Sequence, residues 1–137
     1  MEKITFKEIK DKVTWETFVK SRPESNFLQS WYWGDFHIAL GSKVYREGIF
    51  SGEGLVGVML CIVENARRGR HIIVPAGPLI DWDNRVLSLA VVDRLREIGK
   101  EENAVFVRVR PQLPESTESR SIFRSLGFVS APTHLHA

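Results

Sequence analysis

Arg108 and Arg110 stand two residues apart in Ala104-Val-Phe-Val-Arg-Val-Arg110, where valines at 105, 107 and 109 alternate with the other side chains. On an extended strand that spacing aims both guanidiniums at one face. Two planar donor forks there could grip the diphosphate of a nucleotide-linked or lipid-linked molecule. A solvated face, or pairing with Glu101 or Glu102 from the preceding helix, is the structural alternative. Arg67, Arg68 and Arg70 form the one dense basic cluster and fall on a turn. They could meet a phosphate-rich partner such as tRNA or a lipid headgroup, but three turn arginines are a weak signal. His134 and His136 alternate on a closing strand, and without a third ligand at suitable spacing they specify no metal. His71, at a strand start, is unremarkable. No Ser, His and Asp set, carboxylate pair or Cys–His couple has a telling spacing, so the sequence names no nucleophile and no base.

The densest feature is aromatic. Asn26-Phe-Leu-Gln-Ser-Trp-Tyr-Trp-Gly-Asp-Phe36 holds five aromatic side chains, including two of the four tryptophans, in eleven residues. Such density builds either a core or a binding surface. On a helix from about Ser30 to Leu40, Tyr32, Trp33, Phe36 and Leu40 form one stripe, expected to pack on a sheet, while Trp31 and Ile38 lie off it. A helix apolar on two sides must cover something on each. The second ridge meets the preceding helix or the amino-terminal strand, or else it lines a substrate cleft or faces a partner. Asp35 and His37 flank Phe36, so a basic role at mid-helix would fall to His37. Farther on, Pro75-Ala-Gly-Pro78 must end a strand, because neither proline has an amide to donate to a ladder. It is a structural bend or a wall of the site.

The elements that must position these residues follow from periodicity. Ile4 and Phe6 mark a short strand, and Trp15, Phe18 and Val19 a helix ended by Pro23. After the aromatic helix stops at Gly41, Val44 to Phe50 is a strand and Ser51-Gly-Glu-Gly54 a hairpin turn. Leu55 to Glu64 is so continuously apolar that both its faces should be covered. The chain turns at Asn65 to Gly69 and returns as a strand from His71 to Ile80. Asp83 or Asn84 can cap a helix with Leu87, Val91, Leu95 and Ile98 on one stripe. A strand over Ala104–Arg110, a helix holding Ile122 and Phe123, and an extended segment from Phe128 to His136 complete the order. This is an α/β (α+β) arrangement that matches a GNAT-like acyltransferase fold, a mixed central sheet with helices on both faces.

At 137 residues, 43% hydrophobic and 26% charged, the chain reads as a single globular domain over residues 1–137. A net charge of +2 supplies no overall field toward nucleic acid or membrane. Cys61, the one cysteine, sits in an apolar run and should be a reduced, buried thiol. The charged stretch Met1–Lys12 is no signal peptide and no apolar run reaches a membrane span, which together suggest a cytoplasmic protein.

Phe27-Leu-Gln-Ser-Trp-x-Trp-Gly-x-Phe36, followed about forty residues later by Val74-Pro-Ala-Gly-Pro-Leu-Ile-Asp81, resembles the first half of FemABX-type peptidyltransferases. The similarity runs from about Trp15 to the end, including Leu126-Gly-Phe128 and Pro132-Thr-His-Leu-His136. It implies transfer of an amino acid from aminoacyl-tRNA to the stem-peptide amine of a peptidoglycan precursor, either UDP-MurNAc-pentapeptide or lipid II. It implies no cofactor beyond the aminoacyl-tRNA co-substrate, and a location in the cytoplasm or at the inner face of the membrane. Trp33, Phe36, His37, Gly77, Pro78, Arg108 and Arg110 are the expected substrate-binding residues. Family members commonly carry a basic residue at the middle of the aromatic helix and another before Gly-Pro, where this chain has His37 and Ala76. They also carry a second related domain that supplies much of the chemistry. Acetyl-CoA enzymes of the GNAT type instead have a Gln/Arg-x-x-Gly-x-Gly/Ala loop whose amides cradle pyrophosphate. Gly77-Pro-Leu-Ile-Asp-Trp-Asp-Asn84 lacks that pattern, which disfavours acetyl-CoA. A non-catalytic module binding a partner or itself through Trp31 and Ile38, and a small-molecule N-acyltransferase with an atypical loop, are the alternatives.

Overall fold

The computed structural model describes residues 3–67, 69–112, 116–130 and 135–136, with 129–130 and 135–136 by backbone alone. Strands β1 (Ile4–Glu8), β2 (Lys43–Ser51), β3 (Gly54–Ala66), β4 (Gly69–Val74) and β5 (Val107–Val109) form one sheet in sequence order. The first four pair antiparallel and β4–β5 is parallel. Helices α1 (Lys12–Ser21) and α2 (Trp31–Ala39) lie between β1 and β2, with a single 3-10 turn, Phe27–Gln29, ahead of α2. Helix α3 (Arg85–Glu101) makes the crossover from β4 to β5 that a parallel pair requires. Helix α4 (Thr117–Ser125) follows, and β6 (Val129–Ser130) pairs with β7 (Leu135–His136) as a separate ribbon. His134 lies outside the described residues.

β3 divides the interior. Its odd residues Met59, Cys61 and Val63 enter a core closed by Leu87, Val91, Leu95 and Ile98 of α3 and Phe123 of α4. Its even residues Val58, Leu60 and Ile62 enter a smaller core with Trp15 and Val19 of α1. Both faces of the strand are therefore covered, as its unbroken apolar sequence requires. Cys61 is fully buried, and that burial, with the nearby Glu47 carboxylate, pushes its thiol pKa up.

Three local expectations are corrected. The expected strand His71–Ile80 ends at Val74, because Pro75 cannot donate the next rung. β5 is confined to Val107–Val109, and Val105 is 64% exposed rather than on the buried face of a strand. The stripe Tyr32, Phe36 and Leu40 faces solvent, at 49%, 50% and 64% exposure, instead of packing on the sheet. Helix α2 turns Trp31 and Gly34 inward. A sequence apolar nearly all round presents no preferred face, and the inward glycine is invisible to an apolar count.

Candidate functional site

Gln29 organises the region around the aromatic helix. Where β4 should continue past Val74, Pro75 leaves Leu60 of β3 without a backbone partner. The fully buried Gln29 carboxamide replaces it. Its Oε1 accepts from Leu60 N at 2.9 Å, and its Nε2 donates to Leu60 O at 3.3 Å and Pro75 O at 2.6 Å. A primary amide has the donor and acceptor of a peptide group, so it can stand in for a ladder rung. The chain bulges through Pro75–Pro78, with a cis Gly77–Pro78 bond, and rejoins β3 where Val58 and Leu79 exchange two backbone bonds. Between the Ile62–Ile73 pair and the Val58–Leu79 bridge, β3 advances by four residues and the returning chain by six. Gly77 and Pro78 are thus buried behind Gln29 rather than displayed on the surface. A Cβ on Gly77 would lie 2.6 Å from the Gln29 carboxamide carbon.

The same residue anchors the aromatic cluster. Gln29 O accepts the Trp15 indole at 2.8 Å, and the next residue, Ser30, caps α2 by accepting Trp33 N at 3.1 Å. Trp33 then stacks on Phe36 at 5.1 Å and meets Phe27 at 5.8 Å and His37 at 4.9 Å, both edge-on. Phe27 is 61% exposed, so this is an open aromatic surface and not a closed core. Three of the expected substrate-binding residues, Trp33, Phe36 and His37, are therefore in mutual contact.

Trp31 is not available to a partner. Its ring meets Trp15 edge-on at 6.5 Å, and the Arg46 guanidinium lies 3.6 Å from its centroid. That guanidinium also donates to Trp31 O and Asp35 Oδ1, each at 2.8 Å. The preceding helix and β2 thus cover Trp31, whereas Ile38 stays 48% exposed, so the two do not form one free docking ridge.

Arg108 and Arg110 belong to the β4–β5 edge. Val107 and Val109 point into the α3 core, which leaves Arg108 on the opposite face, with its guanidinium 5.2 Å over Phe106. His71 stacks on the same ring at 4.7 Å. Arg110 is exposed, and its backbone N–H donates to Val74 O at 3.2 Å, the last bond before the bulge. Neither arginine pairs with Glu102, contrary to one sequence expectation. Glu102 instead accepts from Lys43 at 2.6 Å, Arg70 at 2.5 Å and the Tyr45 hydroxyl. Those bonds, Lys43 first, pull its carboxyl down to about 2, while burial and then the bond to Glu102 push Tyr45 up to about 12. This also takes Arg70 out of the basic turn, whose Arg68 lies outside the described residues.

At the start of α3, the Asn84 side chain accepts from Leu87 N at 3.1 Å and Asp81 accepts from Asp83 N at 3.0 Å. Leu79, Ile80 and Trp82 are buried in the interior just before it. Asp81 and Asp83 are exposed beside that helix terminus, where a phosphate would meet like charge. Among the described residues no group of three His, Cys, Asp or Glu could hold a metal, and no helix is long and apolar enough to cross a membrane.

Sequence reasoning passed over Gln29 and Arg46, and it offered Glu102 the wrong arginines. A proline inside an apolar strand did signal an empty rung, and a lone amide among aromatic residues was the group able to fill it. Nothing in the spacing of Lys43, Tyr45, Arg70 and Glu102 announces their meeting, which depends on three separate elements.

A mixed five-stranded sheet with the α1–α2 pair on one face and α3 and α4 on the other is the GNAT-like α/β fold. A predicted acetyltransferase from Clostridium acetobutylicum, solved with acetyl-CoA, superposes with a TM-score of 0.64 at 13% identity, over 97% of this chain and 93% of that one. Within the fold, the chain belongs to the FemAB family, whose profile matches residues 11–125. FemX superposes with a TM-score of 0.81 at 22% identity, over 91% of this chain and 32% of its own. The lipid II:glycine glycyltransferase of Staphylococcus saprophyticus is 22% identical over 117 residues, 82% of this chain. The chain spans only 28% of that relative's length.

Proposed function

We propose that this domain serves aminoacyl transfer to a peptidoglycan precursor, its exposed aromatic surface taking part in holding the acceptor. The observation that carries the reading is the FemAB match over residues 11–125, alongside a relative named lipid II:glycine glycyltransferase. In the reaction, the stem-peptide amine attacks the ester carbonyl of an aminoacyl-tRNA. The C–N bond forms, the ester C–O bond breaks, and the tRNA hydroxyl leaves with the proton the amine gives up. Trp33, Phe36 and His37 offer flat faces for sugar or peptide, and Arg110, beside the bulge, offers a guanidinium for phosphate. Gly77 and Pro78 act from behind, by shaping the bulge. Arg108 contributes cationic charge on the same side of the sheet. No residue of this chain is assigned as nucleophile or base. Acetyl-CoA is disfavoured as donor by Asp81 and Asp83 at the terminus of α3.

Calorimetric titration with UDP-MurNAc-pentapeptide, with acetyl-CoA as control, tests this. Binding of the muropeptide alone is expected, weakened at least tenfold by Trp33→Ala combined with Arg110→Ala in a folded protein. Unchanged affinity in that double variant would discard the site. Binding of acetyl-CoA alone would favour the small-molecule N-acyltransferase.

A further inference from the structure

We infer that Gln29 is a positioning residue, whose carboxamide holds the Pro75–Pro78 bulge and the aromatic cluster of Phe27, Trp33, Phe36 and His37 in one register. For what binds there, the inference rests on the precursor reading above. The coupling itself rests on geometry. Among the described hydrogen bonds of Asn26–Ser30, all are local except those made by Gln29. Its carbonyl takes the Trp15 indole, and its side chain takes Leu60 and Pro75. Among the described hydrogen bonds, the 3-10 turn carrying Phe27 is therefore tied to the sheet at Gln29. Ser30 follows directly and fixes Trp33 N, so displacement of Gln29 passes to the start of α2. On the other side, Gly77 leaves no room between bulge and carboxamide, its would-be Cβ falling 2.6–2.9 Å from three Gln29 atoms. Gly77 is not among the glycines with positive φ, so a substitution there acts through this contact and not through backbone strain.

If Gln29 merely filled the empty rung, disturbance of the bulge would stop at β3. If it positions the site, the disturbance must reach Trp33. Gly77→Ala changes no residue of the 3-10 turn or α2, and in a ¹⁵N-labelled protein it should shift the Trp33 indole and backbone N–H signals. Gln29→Glu keeps an acceptor for Leu60 N but loses both donors, and should move the same signals. Both variants should raise the Kd for UDP-MurNAc-pentapeptide about tenfold. Trp33 signals unmoved in a folded Gly77→Ala protein would overturn the inference. Should neither variant fold, hydrogen exchange in the unaltered chain decides. The amides of Leu60, held by Gln29, and Trp33, held by Ser30, should then open together, with protection factors within about threefold, and a wider gap overturns the coupling. A chain that leaves the muropeptide unbound, while Gly77→Ala still moves Trp33, would sink the precursor reading and sustain the positioning role.

Discussion

Met59, Cys61 and Val63 look into a core closed by α3 and α4, whereas Val58, Leu60 and Ile62, lying between them, look into a smaller one closed by α1 and α2. The two sides secure their helices differently. α3 is moored by charge: Arg94 meets the buried Glu47 at 2.5 Å, and Glu102, at the helix end, collects Lys43, Tyr45 and Arg70 from two strands. A carboxylate there opposes the helix dipole, so its place is due to those three partners. The α1–α2 side is moored by the buried Gln29 amide, by Arg46 over the Trp31 ring and paired with the exposed Asp35, and by Glu16 accepting from Trp31 N, and it leaves Phe27, Phe36 and Leu40 outside. One face is finished as a core; the other is kept as a surface.

The largest effect should come from the finished face. Leu95 is fully buried within the α3 stripe, and Leu95→Ala should cost about 3 kcal/mol in urea unfolding, the usual range for such a cavity. Glu102→Gln should cost less, about 2 kcal/mol, since it weakens hydrogen bonds to a charged group while keeping the shape. Its signature is in pH. The folded carboxyl, depressed to about 2, contributes stability that is fully present above its ordinary 4.5 and is lost as pH falls toward 2. The unaltered protein should therefore lose stability across that window more steeply than Glu102→Gln. Parallel curves would show that the carboxylate moors nothing.

Gly34→Ala probes the boundary between the two designs. Ala is the better helix former by about 1 kcal/mol, but its Cβ would sit 2.7 Å from Arg46 Nη2. That guanidinium is fixed by Trp31 O, Asp35 and the Trp31 ring, so it has little room to yield. A net loss of about 1 kcal/mol is expected, and a gain would mean that Arg46 is not a fixed part of the α1–α2 side.

The finished face was the legible one. Leu87, Val91, Leu95 and Ile98 recur at helical spacing and all are buried, and the unbroken apolar run of β3 announced its two covered sides. On the other face the same reading chose the wrong side of α2. Its residues are apolar on most sides, and Trp31 is held inward by distant partners, Trp15 and Glu16 of α1 and Arg46 of β2. Trp33, Phe36 and His37 were found by type, and they do form one cluster. Gln29 was missed because its partners, Leu60 and Pro75, stand 31 and 46 residues away. Periodicity reports which side of an element is apolar, and it carries no information about which distant backbone lacks a bond.

Phe36→Ala should have the smallest effect on folding and bears most directly on the comparison. Phe36 is half exposed and stacks on a Trp33 ring that stays packed against the smaller core without it. Removing it takes away a surface ring and one stacking contact, and surface changes of that kind stay within about 0.5 kcal/mol. The cost to muropeptide affinity should be larger than the cost to stability. A loss above about 1.5 kcal/mol in unfolding would put Phe36 in a core. The α1–α2 side would then be a second finished face, and the distinction between mooring and surface would fail. A small loss of stability with a several-fold rise in Kd would fix the opposite conclusion, that these rings stay outside because a ligand covers them.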